Sequence, residues 1–156
     1  MNPNAASLDV SLGMPAVIGS GLPADDERRR AIRSAIGEVA RYRTLPAGWN
    51  GEGGLPACPK AADFARQLLE QILERPEIRP PFVCPISTGV FLQWQSGDGI
   101  LYFEIDDESV VWMIQEGDAV LAAGEDPHYD ANRACGLVAR FHKIDTEPAD
   151  GITQNA

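Results

Sequence analysis

Three stretches in the middle of the chain alternate, residue by residue, between large apolar side chains and other types, with only short turns between them. Residues 90–95, 100–106 and 109–115 all carry this period of two. It places successive side chains on opposite faces of a strand and fits no helix. Ser96-Gly97-Asp98-Gly99 separates the first two stretches and has the composition of a tight hairpin turn, and Asp107-Glu108 separates the second from the third. Strands joined by such short connections run antiparallel. Alternation then assigns the faces. Val90, Leu92, Trp94, Leu101, Phe103, Ile105, Val110, Trp112 and Ile114 share one side, which is expected to face the core. Phe91, Gln93, Gln95, Tyr102, Glu104, Asp106, Met113 and Gln115 share the other, which is polar, acidic and partly aromatic. Residues 82–86 form a shorter extended segment, and Pro85 argues that it lies at a sheet edge. Residues 119–122 are expected to add a short strand.

Helical periodicity flanks this block. Residues 25–44 place Ile32, Ile36 and Val39 at i, i+4 and i+7, with Arg43 continuing the side and Ala35, Ala40 and Tyr42 beside it. Asp25 or Asp26 is the expected cap. Arg28-Arg29-Arg30 reads as a solvated stretch of this helix. A second helix is expected from Pro59, where a proline loses no hydrogen bond, and it should stop before Pro76. Ala61, Phe64, Ala65, Leu68, Leu69, Ile72 and Leu73 give it a broad apolar face. A last helix is expected over residues 130–142, with Ala134, Leu137, Val138 and Phe141 at helical spacing. The expected fold is therefore α+β: a two-layer domain in which two or three helices cover one face of a three- to five-stranded antiparallel meander. A single domain over residues 24–144 would lie between flexible tails at 1–23 and 145–156.

Composition limits the setting. The longest apolar runs are too short to span a bilayer. The first twenty residues lack the basic start and apolar run of a signal peptide, so a soluble, cytoplasmic protein is expected. Cys58, Cys84 and Cys135 are odd in number and widely spaced, so no disulfide framework is expected. Each reads as a small buried hydrophobe.

The formal net charge is -10, and its distribution is uneven. Residues 1–80 balance ten acids against ten bases, whereas residues 81–156 carry thirteen acids against Arg133, Arg140 and Lys143. Between Pro80 and Asn132 there are ten acids and no Lys or Arg. Such a surface repels phosphate and attracts cations or basic proteins, which argues against direct nucleic-acid binding. The plainer alternatives are a solubilising face, or acids that pair internally with arginines of the first helix.

Residues 45–56 are the least ordinary stretch: Leu45-Pro46-Ala47-Gly48-Trp49-Asn50-Gly51-Glu52-Gly53-Gly54, then Leu55 and Pro56. Glycines and Asn50-Gly51 favour tight turns with positive φ. Trp49 is expected to bury its indole on the core and lock the crossover between two helices, so Trp49, Asn50 and Gly51 read as a structural loop. The stretch resembles a loop in small uncharacterised bacterial proteins, often encoded on mobile elements, with the pattern Gly-Trp-Asp-Gly-x-Gly-Ala-x-Pro. The resemblance covers residues 45–105, and in those proteins a helix and a hydrophobic hairpin follow the loop. Here Asn50 stands in place of the aspartate and Gly54 in place of the alanine. The resemblance implies fold and bacterial context. An uncharged Asn50 weakens any catalytic or metal-binding role for the loop.

Reactive constellations are sparse. Only His128 and His142 are present, and no GxSxG elbow or phosphate loop occurs. Pairs such as Cys135/His128 or Cys84/His142 are compatible with spacing, but nothing promotes them. Glu125, Asp126, His128 and Asp130 could ligate a metal, although Pro127 interrupts them and Asp130 suits a helix cap. Glu104 and Asp106 share a strand face as paired carboxylates do in some hydrolases. The reading that fits best is a non-enzymatic, acidic protein-binding module without catalytic residues, metal or cofactor. It would dock on a basic protein surface as an inhibitor or neutralising partner, antitoxin- or immunity-like, or as an anti-defence protein of anti-CRISPR type. The expected contact residues are Phe91, Gln93, Tyr102, Glu104, Asp106, Asp107, Glu108 and Met113. The alternatives are a metal-dependent hydrolase centred on His128 and its acidic neighbours, and a structural subunit that pairs two copies through the sheet face.

Overall fold

A computed structural model describes residues 21–146. Two helices come first, α1 (Gly21–Tyr42) and α2 (Pro59–Leu73). Five strands follow: β1 (Phe82–Ile86), β2 (Gly89–Ser96), β3 (Gly99–Ile105), β4 (Val110–Glu116) and β5 (Ala119–Asp126). The last helix, α3, spans Ala131–Thr146. The strands form one antiparallel sheet in sequence order, β1-β2-β3-β4-β5. The fold is thus α+β with a five-stranded meander. Pro85 lies in an edge strand, where its missing N–H removes no ladder bond between two neighbours.

The register carries the alternation across the sheet. Leu92 sits opposite Phe103, and Phe103 opposite Trp112. Val90, Leu92, Trp94, Leu101, Phe103, Ile105 and Val110 are buried, with Trp112 and Ile114 packed at the margin. They join one cluster with Ile32, Val39 and Tyr42 of α1, Phe64, Leu68 and Ile72 of α2, and Val138 and Phe141 of α3. Removing each such side chain from water contributes roughly 1.5–3 kcal/mol, so this cluster is the main source of stability. The Trp94 indole N–H donates to the Arg79 carbonyl (2.8 Å). The Arg79 N–H donates to Nε2 of buried His142 (3.2 Å), so the His142 proton sits on Nδ1, 2.9 Å from the Val138 carbonyl. Side chains from the sheet and from α3 thus hold the same stretch of the α2–β1 connection.

Several boundaries differ from expectation. The first helix starts at Gly21, because Pro23 is harmless in a first turn. Asp25 and Asp26 therefore lie inside the helix and do not cap it; Asp25 pairs with Arg28 at 3.0 Å. Arg28 and Arg29 are not solvated. Arg28 Nη1 donates to the Ile78 carbonyl (2.9 Å) and Nη2 to that of Leu73 (2.9 Å), and Arg29 Nη1 also reaches Leu73 (2.7 Å). Both guanidinium groups satisfy the open carbonyl end of α2, where cations are favoured. Strand β5 runs to Asp126, well past residue 122, and carries a bulge. Ile114 pairs with Ala122 and Gln115 with Val120, which leaves Leu121 as the extra residue. Helix α3 continues to Thr146, beyond the expected end at residue 142. The remainder of the two expected tails, 1–20 and 147–156, lies outside the described residues.

Candidate interaction surface

The face of the sheet opposite the core carries no fully buried side chain. Five of the expected contact residues lie together on it. Gln93 sits opposite Tyr102, Tyr102 opposite Met113, and Phe91 opposite Glu104. The Phe91 and Tyr102 rings stack with centroids 5.5 Å apart. The Tyr102 hydroxyl donates to Met113 Sδ (3.5 Å). Phe82, 60% exposed, lies in register with Gln93 at one edge, and Val120, 55% exposed, with Gln115 at the other. The result is an aromatic and thioether strip with glutamines beside it and the exposed carboxylate of Glu104 within it.

Acids bracket this strip at both ends of the strands. At one end, Asp98 lies in the β2–β3 turn, and Glu116 and Asp118 flank Gly117 of the β4–β5 turn. The two turns are linked where the Gly117 N–H donates to the Asp98 carbonyl (3.1 Å). At the other end lie Asp106, Asp107 and Glu108 of the β3–β4 turn. Asp106 differs from the rest of the expected contact set. Its Oδ1 accepts from the N–H groups of Glu108 (2.8 Å) and Ser109 (3.1 Å), so its carboxylate shapes the turn. Asp107 and Glu108 are exposed.

Among the described residues no ion pair joins an acid of the sheet to a cation. The ion pairs among the described residues join Arg28 to Asp25, Arg29 to Glu74, Arg41 to Glu38, Arg66 to Asp63 and Glu70, and Arg75 to Glu77. None takes a carboxylate from between Asp98 and Asp130. Arg28, Arg29 and Arg41 of the first helix bond elsewhere, and among the described residues no first-helix arginine forms an ion pair with an acid of the sheet, so the alternative of internal pairing is not seen there.

Two backbone outliers sit at the β3–β4 end. Thr88 (φ 64°) and Tyr129 (φ 54°) have left-handed conformations, which are unfavourable for a β-branched or bulky residue. Both are tied to the acidic turn. The Thr88 hydroxyl donates to Asp107 Oδ1 (3.3 Å), and the Tyr129 hydroxyl donates to the Asp106 carbonyl. Next to Thr88, a Cβ on Gly89 would come within 1.8 Å of the Ile105 carbonyl oxygen, so only glycine fits there. Phe64 meets the Tyr129 ring edge-on at 6.0 Å, and Lys60 Nζ lies 4.9 Å from its centroid. Burial, followed by nearby acidic groups, pushes the Tyr129 hydroxyl up to about 12.

The Trp49 loop braces the same end. The Thr88 N–H donates to the Leu55 carbonyl (3.2 Å), and the Thr88 carbonyl accepts from Cys58 (3.0 Å). Asn50 Oδ1 accepts from Glu52 (2.9 Å) and Gly54 (2.8 Å). A Cβ on Gly54 would lie 2.7 Å from that amide, so the turn as built favours glycine there. Trp49 corrects the expectation of a core plug. Its indole is half-buried, lies outside the core cluster, and donates to the Leu55 carbonyl (3.0 Å) across the neck of the loop. Bonds within the loop and to the β1–β2 turn hold the Trp49 end, while Leu45 at the loop's start packs against the core.

The residues considered for catalysis or metal binding fall differently. Among the described residues no group of three or more His, Cys, Asp or Glu side chains converges on a common point. Asp126 accepts from the N–H groups of His128 (2.7 Å) and Asp130 (2.8 Å). Desolvation opposes its ionisation, but these two bonds prevail and hold its carboxyl below the usual range. Asp130 caps α3 by accepting from Asn132 (3.0 Å) and Arg133 (3.2 Å). His142 uses both ring nitrogens on backbone groups, and burial pushes the thiols of Cys84 and Cys135 up, away from thiolate. No helix among the described residues is long and apolar enough to cross a membrane. No protein-family model, curated protein or solved structure matches this chain.

Proposed function

We propose that this protein is a non-enzymatic binding module whose open sheet face docks on a basic, partly apolar surface of another protein. The observation that carries the reading is the stacked Phe91–Tyr102 pair with Met113, set between acidic turns that form no ion pair among the described residues. Apolar anchors supply affinity when water is excluded around them, and surrounding charge supplies orientation and rate. The bonds that hold Thr88, Tyr129 and the Trp49 loop keep one acidic end fixed before binding, which lowers the ordering cost. A module of this kind suits an inhibitor or neutralising partner whose carboxylates compete for a cationic site. The carboxylates disfavour self-pairing of the same face, because two copies would bring like charges together.

The test is capture of a partner from the source cell with wild type, Tyr102→Ala and Glu104→Lys, at low and high salt. A basic partner that is held at low salt, released at high salt and lost with both variants is the expected result. A partner retained by both variants, or indifferent to salt, would overturn the reading.

A further inference from the structure

A second feature lies on the other side of the sheet, between β5 and α3, and goes beyond the docking face. Three conditions produce a cleft there. First, α3 presents Arg133, Leu137 and Arg140 at i, i+4 and i+7, one continuous stripe. Second, β5 places Gly124 opposite Trp112. A Cβ on Gly124 would lie 2.6 Å from the indole, so the ring rests against bare backbone and no side chain fills the space. Third, the deeper wall is Phe64, Phe103 and Val110, all nearly inaccessible to solvent. The cleft encloses about 310 Å³, which is within the range of small-molecule sites.

Its polar groups point to the ligand. Arg133 and Arg140 are two of the three cations in residues 81–156, and both line this cleft. Both are exposed, and among the described residues neither forms an ion pair. Trp112 offers a further donor. The indole N–H groups of Trp49 and Trp94 each bond a carbonyl, whereas that of Trp112 has no hydrogen-bond partner among the described residues. Glu125, Asp126 and Asp130 share the rim. Asp126 and Asp130 already accept backbone N–H groups, yet their charge still opposes an extended polyanion such as a nucleotide.

We infer that this cleft binds a small aromatic carboxylate, its ring on the Trp112, Phe64 and Phe103 wall and its single negative group held by Arg133 and Arg140. Guanidinium groups match a carboxylate in geometry as well as charge.

The probe is 2-naphthoate, compared with its neutral amide, 2-naphthamide, by NMR titration of the full chain. Naphthoate should shift the Trp112 indole N–H and the amides of Gly124 and Leu137, and should bind at least tenfold more tightly than the amide. Arg133→Gln/Arg140→Gln replaces only exposed side chains, so the double variant should fold normally. It should lose that preference, so that acid and amide bind alike. Shifts confined to the Phe91–Tyr102 face, equal binding of acid and amide to the wild type, or undiminished naphthoate binding by the double variant would each overturn the inference. The docking reading is tested by partner capture and not by naphthoate binding, so failure here leaves it to its own test.

Discussion

The two faces of the meander are built from the same strands and differ by one step in register, yet one is closed and the other open. On the closed face every large side chain from Val90 to Ile105 is buried, and the Trp94 indole has a carbonyl partner. On the open face Tyr102 touches both Phe91 and Met113, none of the three is fully buried, and among the described residues the acids around them form no ion pair. Charge follows the same division. Arg28 and Arg29 of α1 are used on the end of α2, and Arg41 pairs within its own helix. Stability is therefore expected to depend on the closed face and the helical layer, and recognition on the open face.

Neighbouring aromatic residues of β3 give the sharpest test. Phe103→Ala removes a ring that is 1% exposed and meets Trp94 edge-on at 6.0 Å. It should lower unfolding free energy by about 3–5 kcal/mol. Tyr102→Ala, one residue earlier, should cost less than about 1 kcal/mol while abolishing capture of a partner. Urea denaturation of the two variants measures the contrast. Equal losses would mean that the open face is part of the stabilising core after all.

A second pair breaks the comparison within the helical layer. Arg28 and Arg30 are close neighbours, but only Arg28 is largely buried against the end of α2, with its side chain 10% exposed. Arg28→Ala leaves the carbonyls of Ile72 and Ile78 without a charged donor and that of Leu73 with Arg29 alone. The expected loss is about 1.5–3 kcal/mol. Arg30→Ala should change stability by no more than about 0.5 kcal/mol. If both variants behaved alike, the capping role would be wrong and the run would be the solvated one its composition suggests.

What was legible in the sequence divides along the same line. Period-two alternation located three strands and both faces, because a one-residue slip would reverse every side chain. Asp130 was legible as a cap because its position before a helical pattern defines one possible use. Arg28 was not legible: a basic run beside acids looks solvated until α2 ends against it, and that contact spans 45 residues. Trp49 misled for the opposite reason. Tryptophan usually reports burial, but here hydrogen bonds within the loop take over the work of the core. The strain at Thr88 and Tyr129 left no signal either, since neither residue type favours positive φ and only the surrounding bonds impose it. The β5–α3 cleft was likewise hidden, because it depends on which element Gly124 faces.

A further expected effect concerns alkaline pH and tests whether the closed side is as dry as the geometry implies. Tyr42 is 7% exposed and its hydroxyl is pushed up to about 12, first by burial and then by Glu38. Tyr129 is raised to about 12 as well, again chiefly by burial. Both belong to the closed side, Tyr42 in the core and Tyr129 packed at its margin. In the unfolded chain a tyrosine ionises near its ordinary value of 10.0. Between these values the unfolded state has lost protons that the folded state keeps, so stability falls as pH rises. The contribution should be complete below about pH 10 and lost on passing through about 12, amounting to on the order of 2 kcal/mol for Tyr42. Tyrosinate absorbance of a Tyr102→Phe variant, which removes the open-face tyrosine from the signal, followed together with circular dichroism checks it. The two signals should change together as the chain unfolds in base. Tyrosinate appearing at Tyr42 near pH 10 in a still-folded protein would mean that water reaches the core beside β1, and the contrast between a closed and an open face would weaken there first.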